Sequence, residues 1–161
     1  MADNHGFSHM DSDGNARMVD VSAKDDTKRM AIVRAVVRLS SKTLSMLLEN
    51  ALPKGDVLTT AKIAGIQAAK QTHHLIPMCH PLSINYVDVR FEVDRHESAI
   101  NIEAEVRTTG KTGVEMEALI AAQVAAATIY DMCKAVQKDI LITDCRLVYK
   151  SGGKSGEFRN D

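Results

Sequence analysis

The sequence predicts an α+β sandwich of ferredoxin-like type, a four-stranded antiparallel sheet with helices packed on one face. Three observations carry this. Several segments alternate apolar and polar residues with period two, and others space their apolar residues by threes and fours. The order in which they follow one another is strand, two helices, strand, strand, helix, strand. A length of 161 residues, 45% of them hydrophobic, suits one domain with an ordinary core.

Residues 1–14 carry Gly, Asp, Asn and Ser without periodicity and are expected to form a mobile arm. Residues 15–158 form the domain, and 159–161 a short tail. Within the domain's first stretch, Met18-Val19-Asp20-Val21 is apolar enough to dock on something. The first strand follows: Ala31, Val33, Ala35, Val37 and Leu39 fall on one face, with Ile32, Arg34, Val36 and Arg38 on the other. Ser41 reads as the N-cap of a short helix through Leu44, Leu47 and Leu48, which the turn Pro53-Lys54-Gly55-Asp56 ends. A second helix is expected from Thr59 or Thr60, with Ile63, Ile66 and Ala69 inward, fading at His73-His74. Its Ala64, Gly65 and Ala68 would let another backbone come close.

Asn85 to Val93 and Ala99 to Val106 alternate again, joined by the hairpin connection Asp94-Arg95-His96-Glu97-Ser98. Leu119, Ala122, Ala126, Ile129, Cys133 and Val136 then mark one apolar seam of a helix from Thr112 to Lys138. Ile140 to Ile142 and Arg146 to Tyr149 close the sheet, before a Gly-rich tail.

Composition excludes several functions. A net charge of -1 argues against a nucleic-acid-coating protein, and no Trp with three Tyr and three Phe leaves no stacking platform. Cys79, Cys133 and Cys145 form no C-x-x-C pair, which suits reduced thiols in a cytoplasm. No secretory segment opens the chain, and no apolar run approaches the roughly 20 residues that span a bilayer. Without Cys or His at ligand spacing, a zinc site is not expected.

Chemistry could sit in a few places. Gly110-Lys111-Thr112 and Gly153-Lys154-Ser155 imitate a P-loop but lack its first glycine, since Glu105 and Val148 stand there. The first reads better as a strand-to-helix turn; the second, with Lys150 nearby, as a phosphate-binding loop. Glu115 completes a capping box with Thr112, whereas Glu117 is either solvated or aimed into a pocket. Asp131, Lys134 and Lys138 form a charged stripe. That stripe is either an ordinary solvated face or an acid–base group in which the second ammonium lowers the pKa of Lys134. In Ile76-Pro77-Met78-Cys79-His80-Pro81-Leu82, two prolines hold an extended loop. His80 there could bind phosphate or move a proton, and Cys79 is more often inert than nucleophilic at such a place.

Seven blocks in order resemble the molybdenum cofactor biosynthesis protein C family, the cyclic pyranopterin monophosphate synthases. They are Met18 to Ser22, Lys54-Gly55-Asp56, Ala64 to Lys70, Ile76 to Leu82, Thr109 to Glu117, Ile129 to Gln137 and Lys150 to Gly156. The resemblance runs from about Phe7 to Phe158. It implies conversion of (8S)-3',8-cyclo-7,8-dihydroguanosine 5'-triphosphate to cyclic pyranopterin monophosphate, with pyrophosphate leaving. It implies Asp131 and Lys134 as the catalytic pair, with Lys54 a further acid–base group. Met78, Cys79, His80, Met116 and Glu117 would bind substrate, with Arg29, Lys70 and Lys150 as anion contacts. No cofactor is required, although Mg²⁺ could accompany the triphosphate. The subunit would assemble as a homohexamer, a trimer of dimers with the active site at the dimer interface. The competing expectation is a non-catalytic nucleotide-sensing domain that uses the same lysines and glycines.

Overall fold

In a computed structural model, which describes residues 9–11 and 13–160, the first alternating segment becomes β1 (Thr27–Arg38). Its Ala31, Val33, Ala35 and Val37 are at most 1% exposed, so the period-two reading assigns the core face correctly. Ser40, one residue earlier than expected, caps α1 (Ser41–Leu48), its side chain accepting from the Thr43 amide. Asp56 caps α2 (Val57–Lys70) by accepting from Thr59 N, and a single turn, α3 (Thr72–Leu75), extends it. The hairpin β2 (Ile84–Asp94) and β3 (Ala99–Gly110) leads to α4 (Glu115–Cys133) and β4 (Leu141–Ser151).

The sheet is antiparallel throughout, in the order β2-β3-β1-β4, and a fifth strand, β5 (Phe158–Arg159), pairs with Tyr149 and Lys150 at the edge. The expected four strands are therefore five. A two-residue strand carries no periodicity to read. The turn that returns it to the sheet depends on Gly152, Gly153 and Gly156 at positive φ. The segment expected as a mobile arm lies largely outside the described residues; at its end Asp11 closes a small turn by accepting from the Asp13 and Asn15 amides.

The helices cover one face. α4 lies over β1 and β3 and packs along α2, and the two approach closely where Gly65 faces Ala121: a Cβ at Gly65 would come within 2.8 Å of the Ala121 carbonyl. That accounts for the small residues noted there. Ile63, expected inward, is 63% exposed; Val57, Ala61, Gly65, Ala68 and Ala69 form the inner face instead. The helix starts at Val57 rather than Thr59, and the inner face is fixed by where those small residues meet α4. In α4 the buried stripe is wider than the expected seam, running through Ala118, Ala121, Ala122, Ala125, Ala126, Ile129 and Cys133. Val136 lies beyond the helix end and is exposed.

By length and composition α4 could cross a bilayer, contrary to the expectation that no segment comes near this. Half of its apolar window is buried inside the domain, which makes it the core helix.

Candidate active site

Three chain segments meet at the N-terminal end of α4 and enclose a cleft of about 350 Å³. The end of β3 and its loop supply Lys111, Thr112 and Gly113, and the end of β4 supplies Lys150 and Ser151. The proline-flanked loop adds Met78, Cys79 and His80. Pro77 sits second in a turn closed by Cys79 N donating to Ile76 O (3.1 Å), so this loop is turned first and extended only afterwards.

The segment Met18 to Lys24 does dock, across the cleft mouth. Val19 O accepts from His80 Nε2 at 2.8 Å, and Ser22 O accepts from Lys111 Nζ at 2.7 Å. Val19, Val21 and Lys24 thereby become part of the wall.

The cleft is cationic, with Lys24, Arg29, Lys111 and Lys150 lining it. Two carboxyls oppose them. Glu115 pairs with Lys150 at 3.0 Å, so it does not close a capping box; Val114 is the N-cap, and no side chain caps the helix. Glu117 is 4% exposed and belongs to the same wall. Desolvation, aided by the nearby Glu115 charge, pushes its carboxyl up to about 7. Burial, then the Glu117 charge, raises the Cys79 thiol as well, which disfavours the thiolate a nucleophile needs. Among the described residues, no group of three or more His, Cys, Asp or Glu is placed to hold a metal ion.

A second cluster lies at the other end of α4. Asp131 Oδ1 meets Lys134 Nζ at 2.6 Å and its Oδ2 meets Lys54 Nζ at 2.6 Å. Lys54 reaches there from the turn between α1 and α2, where Gly55 takes φ +83, and it also donates to the Asp131 carbonyl at 3.0 Å. Hydrogen bonds from Lys134 and Lys54 hold the Asp131 carboxyl down at about 2. The same contact raises Lys134, reversing the lowering expected from Lys138. A carboxylate in direct contact decides the sign, and α4 ends at Cys133, so Lys138 is not on the stripe.

The candidate residues are thus divided. Arg29, Met78, Cys79, His80, Met116, Glu117 and Lys150 share the cleft. Lys54, Asp131 and Lys134 form their own group, and Lys70 lies in a separate groove with Ile66, Tyr86 and Val87. Sixteen residues of helix separate Glu115 from Asp131, a rise of about 24 Å. Sequence reasoning missed Lys24, Lys111 and Glu115 as cleft groups. Lys111 had a signal in Gly110-Lys111-Thr112, taken for a turn; Lys24 stands in no motif.

The MoaC family model matches residues 18–153. The chain is 71% identical over 154 residues, 96% of its length, to the cyclic pyranopterin monophosphate synthase of Oleidesulfovibrio alaskensis, covering 97% of that protein. It is 71% identical over 159 residues, 99% of both chains, to that of Nitratidesulfovibrio vulgaris. It is 58% identical over 155 residues to that of Roseiflexus sp., spanning 96% of this chain and 98% of the relative.

Proposed function

Since the chain belongs to the MoaC family and has the cyclic pyranopterin monophosphate synthase activity of molybdenum cofactor biosynthesis, we propose that its cationic cleft binds (8S)-3',8-cyclo-7,8-dihydroguanosine 5'-triphosphate and that Lys54, Asp131 and Lys134 move protons during its conversion. The observation that carries this is the pairing of four cleft cations with a buried carboxyl near neutrality. A triphosphate needs several positive charges in one place, and ring opening and closing needs groups that exchange protons near pH 7. Met78, Cys79, His80 and Met116 shape the wall against the pterin-forming part. Lys150 faces the phosphates once the substrate displaces Glu115 from it.

Asp131 favours the ammonium form of Lys134 in the resting state, so Lys134 acts first as an acid. Drawing Asp131 away makes the Lys134 proton easier to release. No resident cofactor enters this reading, and any Mg²⁺ in the reaction comes in on the triphosphate.

A separation of about 24 Å is too large for one substrate to touch both clusters within a protomer. We infer that a second copy completes the site, within a hexamer built from three such dimers. Two α4 helices crossing antiparallel near Gln123, midway between Glu115 and Asp131, would bring each lysine pair to the other copy's cleft. The antiparallel strand order supports the ferredoxin-like assignment, with β5 as an added edge strand. The reduced cysteines are in keeping with a cytoplasmic enzyme.

The test is turnover of the cyclised intermediate, following pyrophosphate and pterin together. Lys134→Ala is expected to lose about a hundredfold or more while keeping its fold. Unchanged turnover in Lys134→Ala or Asp131→Ala refutes the acid–base assignment. The sensing alternative requires tight binding of the intermediate without product.

A further inference from the structure

Arg29 was expected to touch the anion directly, but two of its five N–H donors are already spent on the chain itself. Arg29 Nε donates to Gly110 O at 2.9 Å and Nη2 donates to Lys111 O at 3.1 Å. These are successive carbonyls of the loop between β3 and α4. The opposite side of the guanidinium carries the turn after β4. A Cβ at Gly153 would run into Nη1, and one at Gly152 would meet the Lys28 carbonyl; both glycines have positive φ. The turn can lie flat on Arg29 only because these two residues have no side chain.

The position of Arg29 explains why it serves both loops. It stands near the start of β1, which is hydrogen-bonded to β3 on one side and β4 on the other, and its neighbour Met30 pairs with Ser151. The two loops carry the Gly-Lys-Thr and Gly-Lys-Ser segments that imitate a P-loop. They place Lys111, Gly152 and Ser155 in the cleft wall, beside Lys150 at the end of β4.

We propose that Arg29 is a positioning residue: its guanidinium fork ties the Gly110–Gly113 and Gly152–Gly156 loops into one cradle for the substrate's phosphates. The proposal rests on the cleft being the substrate site. A planar fork with five donors can bond two neighbouring carbonyls while lying under a glycine turn; an ammonium on a flexible stem cannot do this. The charge at this position matters less than the fork.

Steady-state kinetics on full-length Arg29→Lys, Arg29→Gln and Gly153→Ala tests this, with thermal melting as a check on folding. Losing the fork is expected to raise KM roughly tenfold or more in Arg29→Lys and Arg29→Gln alike. The change in kcat stays below about threefold, because placement of phosphates is lost in ground and transition state together. Gly153→Ala, which removes no donor, reproduces the rise, and its effect is not additive with Arg29→Lys. A direct phosphate contact predicts otherwise: the lysine variant would restore KM to near wild type and Gly153→Ala would do little, and either result overturns the proposal. Should a variant melt below the assay temperature, the remaining two decide. Wild type measured alongside separates the two levels, since failure of inorganic triphosphate to compete with substrate there would refute the cleft assignment itself rather than the role of Arg29.

Discussion

Replacing Glu117 by Gln tests whether the cleft buries a carboxyl at real cost. Burial raises this group from an ordinary 4.5 to about 7. A shift of that size corresponds to about 3 kcal/mol at most, at 1.36 kcal/mol per unit. The sign follows from proton counts. Between pH 4.5 and 7 the folded protein keeps a proton that the unfolded chain has released, so this residue makes stability fall as pH rises through that window. Above about pH 8 both states are ionised, and the full penalty of the buried charge remains. Gln cannot ionise and carries no such slope. Thermal melts of wild type and Glu117→Gln from pH 5 to 8.5 should nearly coincide at the acid end and separate at the alkaline end. The variant is then the more stable by several degrees, since 1 kcal/mol moves the midpoint of a domain this size by about 2–4 °C. Taking the difference between the two proteins cancels the titrating groups that do not interact with Glu117, leaving only its neighbours Glu115 and Cys79. Two curves that stay parallel across the whole range refute the claim that Glu117 is desolvated.

Three further outcomes are expected. Lys134→Ala and Glu117→Ala, each inactive alone, should regain roughly a quarter of wild-type activity when unfolded together and reassembled, because random pairing leaves one site in four intact; no recovery in confirmed mixed oligomers refutes the shared site. Gly65→Val should cost about 2 kcal/mol or more in chemical denaturation, since its Cβ meets the Ala121 carbonyl at 2.8 Å and Val89 Cγ2 at 3.0 Å; an unchanged midpoint would mean α2 and α4 are not in close contact. Burial raises all three thiols, Cys133 to about 11. Alkylation by iodoacetamide at pH 7.5 should therefore be slow in the folded protein and fast after unfolding, and rapid labelling of Cys79 in the native state would revive it as a nucleophile.

The sheet was legible because its strands have one buried face each. Ala31, Val33, Ala35 and Val37 declare that face through alternation alone. β5 was not legible, because two residues at an edge have no pattern and depend on one turn with three glycines at positive φ. The orientation of α2 failed for a different reason. Ile63, as bulky as any apolar side chain in the helix, points outward, while the close fit to α4 demands Gly65 inside, with Ala61 on the same buried face; a pattern that weights bulk misreads a face chosen for smallness. Glu117 shows the limit most clearly. Spacing separated it from Glu115, yet only the packed cleft makes it a carboxyl near neutrality.

The two ends of α4 complement each other chemically. At its N-terminal end stands a desolvated carboxyl that holds or releases a proton around pH 7, among cations suited to a triphosphate. At its C-terminal end two exposed lysines share one exposed carboxylate that is held ionised. In the function proposed above, neither end suffices for a reaction that both takes and gives protons while expelling pyrophosphate. Under that proposal, the carboxylate at 131 favours the protonated Lys134 until an arriving substrate in a neighbouring cleft brings hydrogen-bonding groups that draw it off. On the proposed reading the lysines become competent only where a second cleft presents its ligand. Assembly would then set the protonation state as well as the geometry, and an isolated protomer would bind the triphosphate through Lys111 and Lys150 without turning it over.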